Sequence, residues 1–201
     1  AEFNVGIEML NKLTAGTVHL QTRKDANVVF KNATGVQVNQ VKGAHPAGNV
    51  GVQMHHIDPI NKGEVVWYIN PQDVLILGRY ALTGKYDATK VVAVTGENTA
   101  ERKYVKTIIG SSLDSILLAS VEDNSRIISG NPLTGSQVQK DNYLSFYDSQ
   151  ITILPEGDNY KFFLTDGWLS AGFKRFSASR AYPTWMMPKS KEYGLDTNVN
   201  G

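Results

Sequence analysis

The chain has 201 residues, 41% of them hydrophobic, and its 20 Lys and Arg nearly cancel 19 Asp and Glu to leave a net charge of +1. This is the composition of one or two folded domains, not of a disordered or collagenous chain, and such a balance argues against nucleic acid as the main partner. Cysteine is absent, which excludes disulfides, thiolate zinc sites, cysteine-held iron–sulfur clusters and cysteine nucleophiles within the chain.

No apolar run approaches the roughly 18 residues of a membrane span. The first residue is not Met, a helical pattern starts almost at once, and the sequence stops at Asp196-Thr197-Asn198-Val199-Asn200-Gly201 without a closing element. Both ends read as cuts in a longer protein.

Residues 4–13 predict a helix, with Asn4 as N-cap and Val5, Met9, Leu10 and Leu13 at helical spacing. Gly16 is the stop. A short strand follows over 18–20, a short helix over 28–33 ending at Gly35, and a second strand over 36–41. Val50, Met54 and Ile57 favour a helix, and 65–69 predicts a strand. The clearest helix start in the chain is Asn70-Pro71-Gln72-Asp73: a cap, a proline at the first helical position and an acid in the first turn. Gly84 ends that helix, and 91–94 is a strand. The alternation of strand and helix over 1–100 predicts an α/β domain with parallel pairs covered by helices.

Residues 97–103 are polar and read as a linker. Beyond them the spacing predicts strands over 104–109, 126–128, 143–146 and 151–154, with a short helix over 113–119 capped by Ser111 or Ser112. One helix among several short strands predicts a small α+β module of the β-grasp kind over 101–158. Residues 159–201 are irregular and aromatic-rich.

The segment Gly43-Ala44-His45-Pro46-Ala47-Gly48-Asn49-Val50-Gly51 supplies the candidate cofactor-binding residues Gly43, His45, Gly48 and Asn49. Glycines before a helix can offer backbone N–H groups to a phosphate. The segment lacks the G-x-G-x-x-G spacing and the Walker lysine, and Pro46 removes a donor, so a tight strand-to-helix connection explains it as well. His45, His55, His56 and Asp58 are the only cluster of metal-ligand types, but adjacent histidines diverge by about 100° on a helix and point to opposite faces of a strand. No metal site is expected. Asp73 with Asp87, or Glu64 with Asp58, have no spacing that fixes an acid–base pair. Ser111 and Ser112 lack a nucleophile motif, so no catalytic residue is assigned. Phe173-Lys174-Arg175-Phe176-Ser177-Ala178-Ser179-Arg180 mixes cations with aromatics. A solvated linker is the default reading. Among the contacts it could make, with a nucleic acid, an anionic lipid surface or a partner subunit, the aromatic-rich surroundings favour the partner.

Several segments together carry a resemblance: Gly43 to Gly51, Trp67-Tyr68-Ile69-Asn70-Pro71-Gln72-Asp73-Val74, Leu82-Thr83-Gly84-Lys85-Tyr86-Asp87-Ala88-Thr89, Thr107-Ile108-Ile109-Gly110, Arg126-Ile127-Ile128-Ser129-Gly130-Asn131-Pro132-Leu133-Thr134-Gly135, Ile151-Thr152-Ile153-Leu154-Pro155-Glu156-Gly157 and Leu195-Asp196-Thr197-Asn198. Over essentially its whole length the sequence resembles the central part of NqrA, the peripheral component of the sodium-translocating NADH:quinone oxidoreductase (Na⁺-NQR). That family is related to the NADH-binding flavoprotein of respiratory complex I and to the corresponding component of Rnf complexes. The resemblance implies a Rossmann-like α/β domain followed by a β-grasp domain of the soluble-ligand-binding type. It implies a peripheral place on the cytoplasmic face of the bacterial inner membrane. Its partners would be the other Na⁺-NQR subunits, the membrane-embedded NqrB above all, and quinone. NADH and quinone are then substrates of the parent complex. The nucleotide loop of the related flavoproteins corresponds to Pro46 to Gly51, with Asn49 where an acid is expected. The loop is therefore read as vestigial, and no flavin or NADH is expected to bind these residues.

Overall fold

The computed structural model describes residues 1–44, 46–117, 121–159, 162, 169, 171–173, 182–188 and 192–195. The chain is mixed α/β with two separate sheets and divides into two compact units, Ala1–Ala88 and Thr89–Gly201.

The first unit runs α1 (Glu2–Leu13), β1 (His19–Arg23), α2 (Val28–Lys31), β2 (Gln37–Val41), α3 (Val50–Ile57) and α4 (Pro71–Thr83). β1 and β2 are parallel, in register from His19 against Gln37 to Arg23 against Val41. The short α2 makes the crossover, capped where the Asn27 side chain accepts from Val29 N. At the head of α4 the Asn70 carbonyl accepts from Asp73 N (3.0 Å) and Val74 N (3.1 Å). At its end Gly84 turns left-handed at φ 67°, and its N–H donates to the Tyr80 carbonyl. That conformation suits glycine because it has no Cβ.

α1 packs on α4 through glycine. A Cβ on Gly78 would overlap the Glu2 carbonyl oxygen, and one on Gly6 would overlap the Val74 carbonyl oxygen. Around that crossing Phe3, Ile7 and Val74 form the buried centre, with Leu20, Phe30 and Val36 packed against it. Phe3 meets Phe30 edge-on, with centroids 5.4 Å apart.

Several expectations are corrected here. α1 starts two residues before Asn4, capped by Ala1. Its buried residues are Phe3, Gly6 and Ile7, with Leu10 packed against that cluster, and Leu13 is exposed. Residues 65–69 form no strand. β-branched and aromatic side chains favour extended backbone, but a strand also needs a partner ladder, and no strand pairing of this segment exists among the described residues.

The second unit runs β3 (Thr89–Thr95), β4 (Lys103–Ile108), α5 (Leu113–Leu117), β5 (Ser125–Ser129), β6 (Ser136–Val138) and β7 (Gln150–Pro155), with a later 3-10 turn at Pro183–Met186. The strand order is β4-β3-β7-β5-β6. β3 and β7 are parallel, and the other pairs are antiparallel. Val92, Val94, Ile127, Ile151 and Ile153 face the α5 residues Leu113, Ile116 and Leu117 in one core. Lys90 is buried as well, its Nζ donating to the Phe146 carbonyl at 3.3 Å.

The division between units falls at Ala88, not near residue 100, because β3 pairs with β4 and β7. Residues 97–102 connect the antiparallel β3 and β4, and Lys103 already belongs to β4, so their polarity is that of a hairpin connection, not of an interdomain linker. The strand expected over 143–146 reduces to a single bridge between Tyr143 and Ser112. β6 was not expected: Ser136, Gln137 and Val138 carry no apolar run, and their pairing with β5 creates the strand.

The Arg126 to Gly135 motif proves to be a fastening of the sheet. Ser129, fully buried, donates to Asp148 Oδ2 (2.5 Å) and accepts from Ser145 N (3.1 Å). Thr152 Oγ1 donates to the Gly130 carbonyl at 2.8 Å. Asn131 Oδ1 accepts from Leu133 N (2.9 Å) and Thr134 N (3.0 Å), which closes the turn. Arg126 pairs with Glu156 at 2.7 Å. The hydrogen bond and charge of that carboxylate raise the guanidinium above its already high value, so Arg126 stays charged throughout the neutral range.

Candidate functional site

The site is a cleft of about 860 Å³ at the carboxyl ends of β1 and β2. Parallel strands put their loops on one edge, and in open α/β sheets ligands bind beyond that edge. β1 delivers Arg23, Lys24 and Asp25 to the cleft; β2 delivers Lys42 and Gly43. Gly48 and Gln53, from the connection to α3 and its first turns, close the other side.

The loop itself is largely self-satisfied. Ala47 N donates to the Ala44 carbonyl and Asn49 N to the Pro46 carbonyl, both at 2.9 Å. Gln53 Nε2 reaches back to the Ala47 carbonyl at 3.0 Å. These two amides, which a phosphate-cradling loop would point outward, are turned back onto the loop's own carbonyls. Asn49 is the N-cap of α3, without a side-chain capping bond. A Cβ on Gly43 would press on that of Ala47 at 2.9 Å, whereas one on Gly48 would meet nothing within 4 Å. Gly43 thus serves the packing of the turn, and Gly48 borders open space. Of the four candidate residues, Gly43 and Gly48 line the cleft, Asn49 heads the helix beside it, and His45 lies outside the described residues.

The charge of the cleft is cationic but shallow. Arg23 and Asp25 pair at 3.0 Å with both side chains largely exposed, a contact worth about 0–1 kcal/mol. Lys24 and Lys42 add two more cations at the rim. Sequence reasoning missed these three cations; the signal was their position one step from the ends of two parallel strands.

The other candidates separate. The His55 and His56 rings meet at 5.7 Å, nearly edge-on, and no group of three metal-ligand side chains exists among the described residues. Asp87 pairs with Arg79 at 2.7 Å. Glu64 Oε2 accepts from Asn61 N at 2.7 Å. Ser111 Oγ meets Thr107 Oγ1 at 2.5 Å, and the Ser112 carbonyl accepts from Ser115 Oγ. Each of these groups serves a local turn or contact. Of the 173–180 segment only Phe173, which is exposed, lies among the described residues.

The two units define a chain that carries an α/β domain, with a cleft at parallel strand ends, followed by a compact mixed-sheet module. Residues 1–86 match the family model described as NqrA second alpha/beta domain, and residues 91–140 match the NQRA C-terminal domain model. Three similar proteins are named as the A component (NqrA) of Na(+)-translocating NADH-quinone reductase. The one from Rhodopirellula baltica is 34% identical over 94% of this chain and 42% of its own length. The one from Pasteurella multocida is 33% identical over 99% and 44%, and the one from Shewanella frigidimarina 33% over 100% and 44%. The chain belongs to the NqrA family of Na⁺-translocating NADH-quinone reductases. It spans less than half the length of these relatives.

Proposed function

We propose that these residues form part of the peripheral NqrA component of a Na⁺-pumping NADH:quinone oxidoreductase, on the cytoplasmic face of the bacterial inner membrane. They act there as scaffold and lend residues to a quinone pocket, while NADH oxidation and flavin chemistry take place on other subunits. The observation that carries this reading is the similarity, over 94–100% of the chain, to proteins of that name. No described helix is long and apolar enough to cross a membrane, which accords with a peripheral place.

The first unit is read as Rossmann-like, supported by the parallel β1–β2 pair and its helical crossover. The second is read as a β-grasp. Counting from β3 as one, its strand order is 2-1-5-3-4, with parallel first and last strands and a helix between the second and third. The inward-turned amides of Ala47 and Asn49 support a framework that holds no dinucleotide or flavin.

The membrane-embedded NqrB is the expected partner. A tagged chain should co-purify with the membrane subunits. Replacing Phe173, Arg175 and Phe176 by Ala should weaken that capture by roughly tenfold or more, as loss of aromatic and Arg anchors does. Undiminished capture by the triple variant would remove the docking role from this segment. A second reading, a free-standing nucleotide- or small-ligand-binding module, is favoured by one observation: the cleft with Arg23, Lys24 and Lys42 at its mouth.

A further inference from the structure

Val65, Val66, Trp67, Tyr68 and Ile69 form the longest exposed apolar run among the described residues, at 75, 48, 88, 68 and 40% exposure. Runs of three or four exposed apolar residues are already costly unless they serve a contact. Side chains of an extended segment alternate between faces, so five in a row make both faces apolar. That is the pattern of an inner strand covered on both sides, not of a surface strand. The five residues contain no charge and no proline, so nothing blunts their backbone against pairing. They also fall between α3 and α4, where the alternation of strand and helix leaves a strand position. Among the described residues the only sheet of this unit has two parallel strands, and parallel sheets that small do not usually stand alone.

We propose that residues 65–69 are an inner strand whose ladder is completed by polypeptide of the full-length family protein lying outside these 201 residues. More than half of each relative's length is available for this role, since the chain spans 42–44% of them. The inference rests on membership of the family and not on the quinone role. Its readout is backbone protection, so its failure and that of the functional reading are distinguishable.

The test is hydrogen exchange, read by mass spectrometry, on the 201-residue chain and on the protein carrying its natural flanking polypeptide. The amides of 66–69 should exchange near the unfolded rate in the former and roughly 100-fold more slowly in the latter. Trp67→Pro should abolish that protection while leaving the unfolding midpoint of the shorter chain unchanged. Equally fast exchange in the longer protein would overturn the proposal, as would protection that survives Trp67→Pro. Protection of the short chain that grows with its own concentration would assign the strand to a second copy, and protection seen only on liposomes would assign it to a lipid surface. Either result also overturns it.

Discussion

Gly78→Ala is expected to destabilise the first unit by about 3 kcal/mol or more, the upper end of what overpacking costs. Two effects oppose each other. Replacing a glycine inside a helix normally gains about 1 kcal/mol through helix propensity. At Gly78 the new Cβ would overlap the Glu2 carbonyl oxygen and stand 2.8 Å from its carbon. Those are backbone atoms, so no rotamer change relieves the clash. The helices must separate, which opens the core around Phe3, Ile7 and Val74. Gly51 in α3 provides the control, because a Cβ there meets nothing within 4 Å. Gly51→Ala should therefore be neutral or stabilising, by up to about 1 kcal/mol. Urea unfolding followed by helical circular dichroism reads both variants, since α1, α3 and α4 all belong to this unit. Equal midpoints for the two variants would contradict the glycine crossing.

Gly96→Ala should cost the second unit a similar amount by a different route. Gly96 has φ 121°, and an added Cβ would overlap the Ile153 carbonyl oxygen. Gly110, at φ 75°, has open space where its Cβ would go. Gly110→Ala therefore isolates the backbone penalty, roughly 1–2 kcal/mol for a left-handed L-residue. Gly96→Ala adds to that penalty a collision with the strand that β3 pairs in parallel, where Thr95 lies opposite Thr152. Exchange of the β3 and β7 amides should accelerate in Gly96→Ala and hardly change in Gly110→Ala. If the two variants behave alike, close approach to β7 is not what requires the glycine.

What could be read from the sequence was governed by local chemistry. α4 was legible because Asn70, Pro71, Asp73 and Gly84 each act within one turn of the helix end they specify. The buried face of α1 was not, because the crossing with α4 selects Phe3, Gly6 and Ile7, and a contact between helices is not written in the spacing of residues 4–13. Long-range pairing escaped in both directions. β6 is made a strand by β5, and the β propensity of 65–69 finds no ladder among the described residues. The boundary near 100 failed because a polar hairpin connection and a polar linker have the same composition. At the cleft, Gly43 and Gly48 announced themselves by type. Arg23, Lys24 and Lys42 did not, since only the parallel register brings two strand ends together. The closing of the loop by the Ala47 and Asn49 amides is likewise a matter of three-dimensional turn geometry.

Calorimetric titration of the purified chain with FMN, NAD⁺ and NADH tests most directly whether the α/β framework has lost its grip on electron carriers. No heat of binding is expected up to about 1 mM ligand, an affinity no better than about −4 kcal/mol. A stoichiometric complex with a Kd below about 10 μM, weakened by substitutions at Arg23 and Lys42, would contradict it.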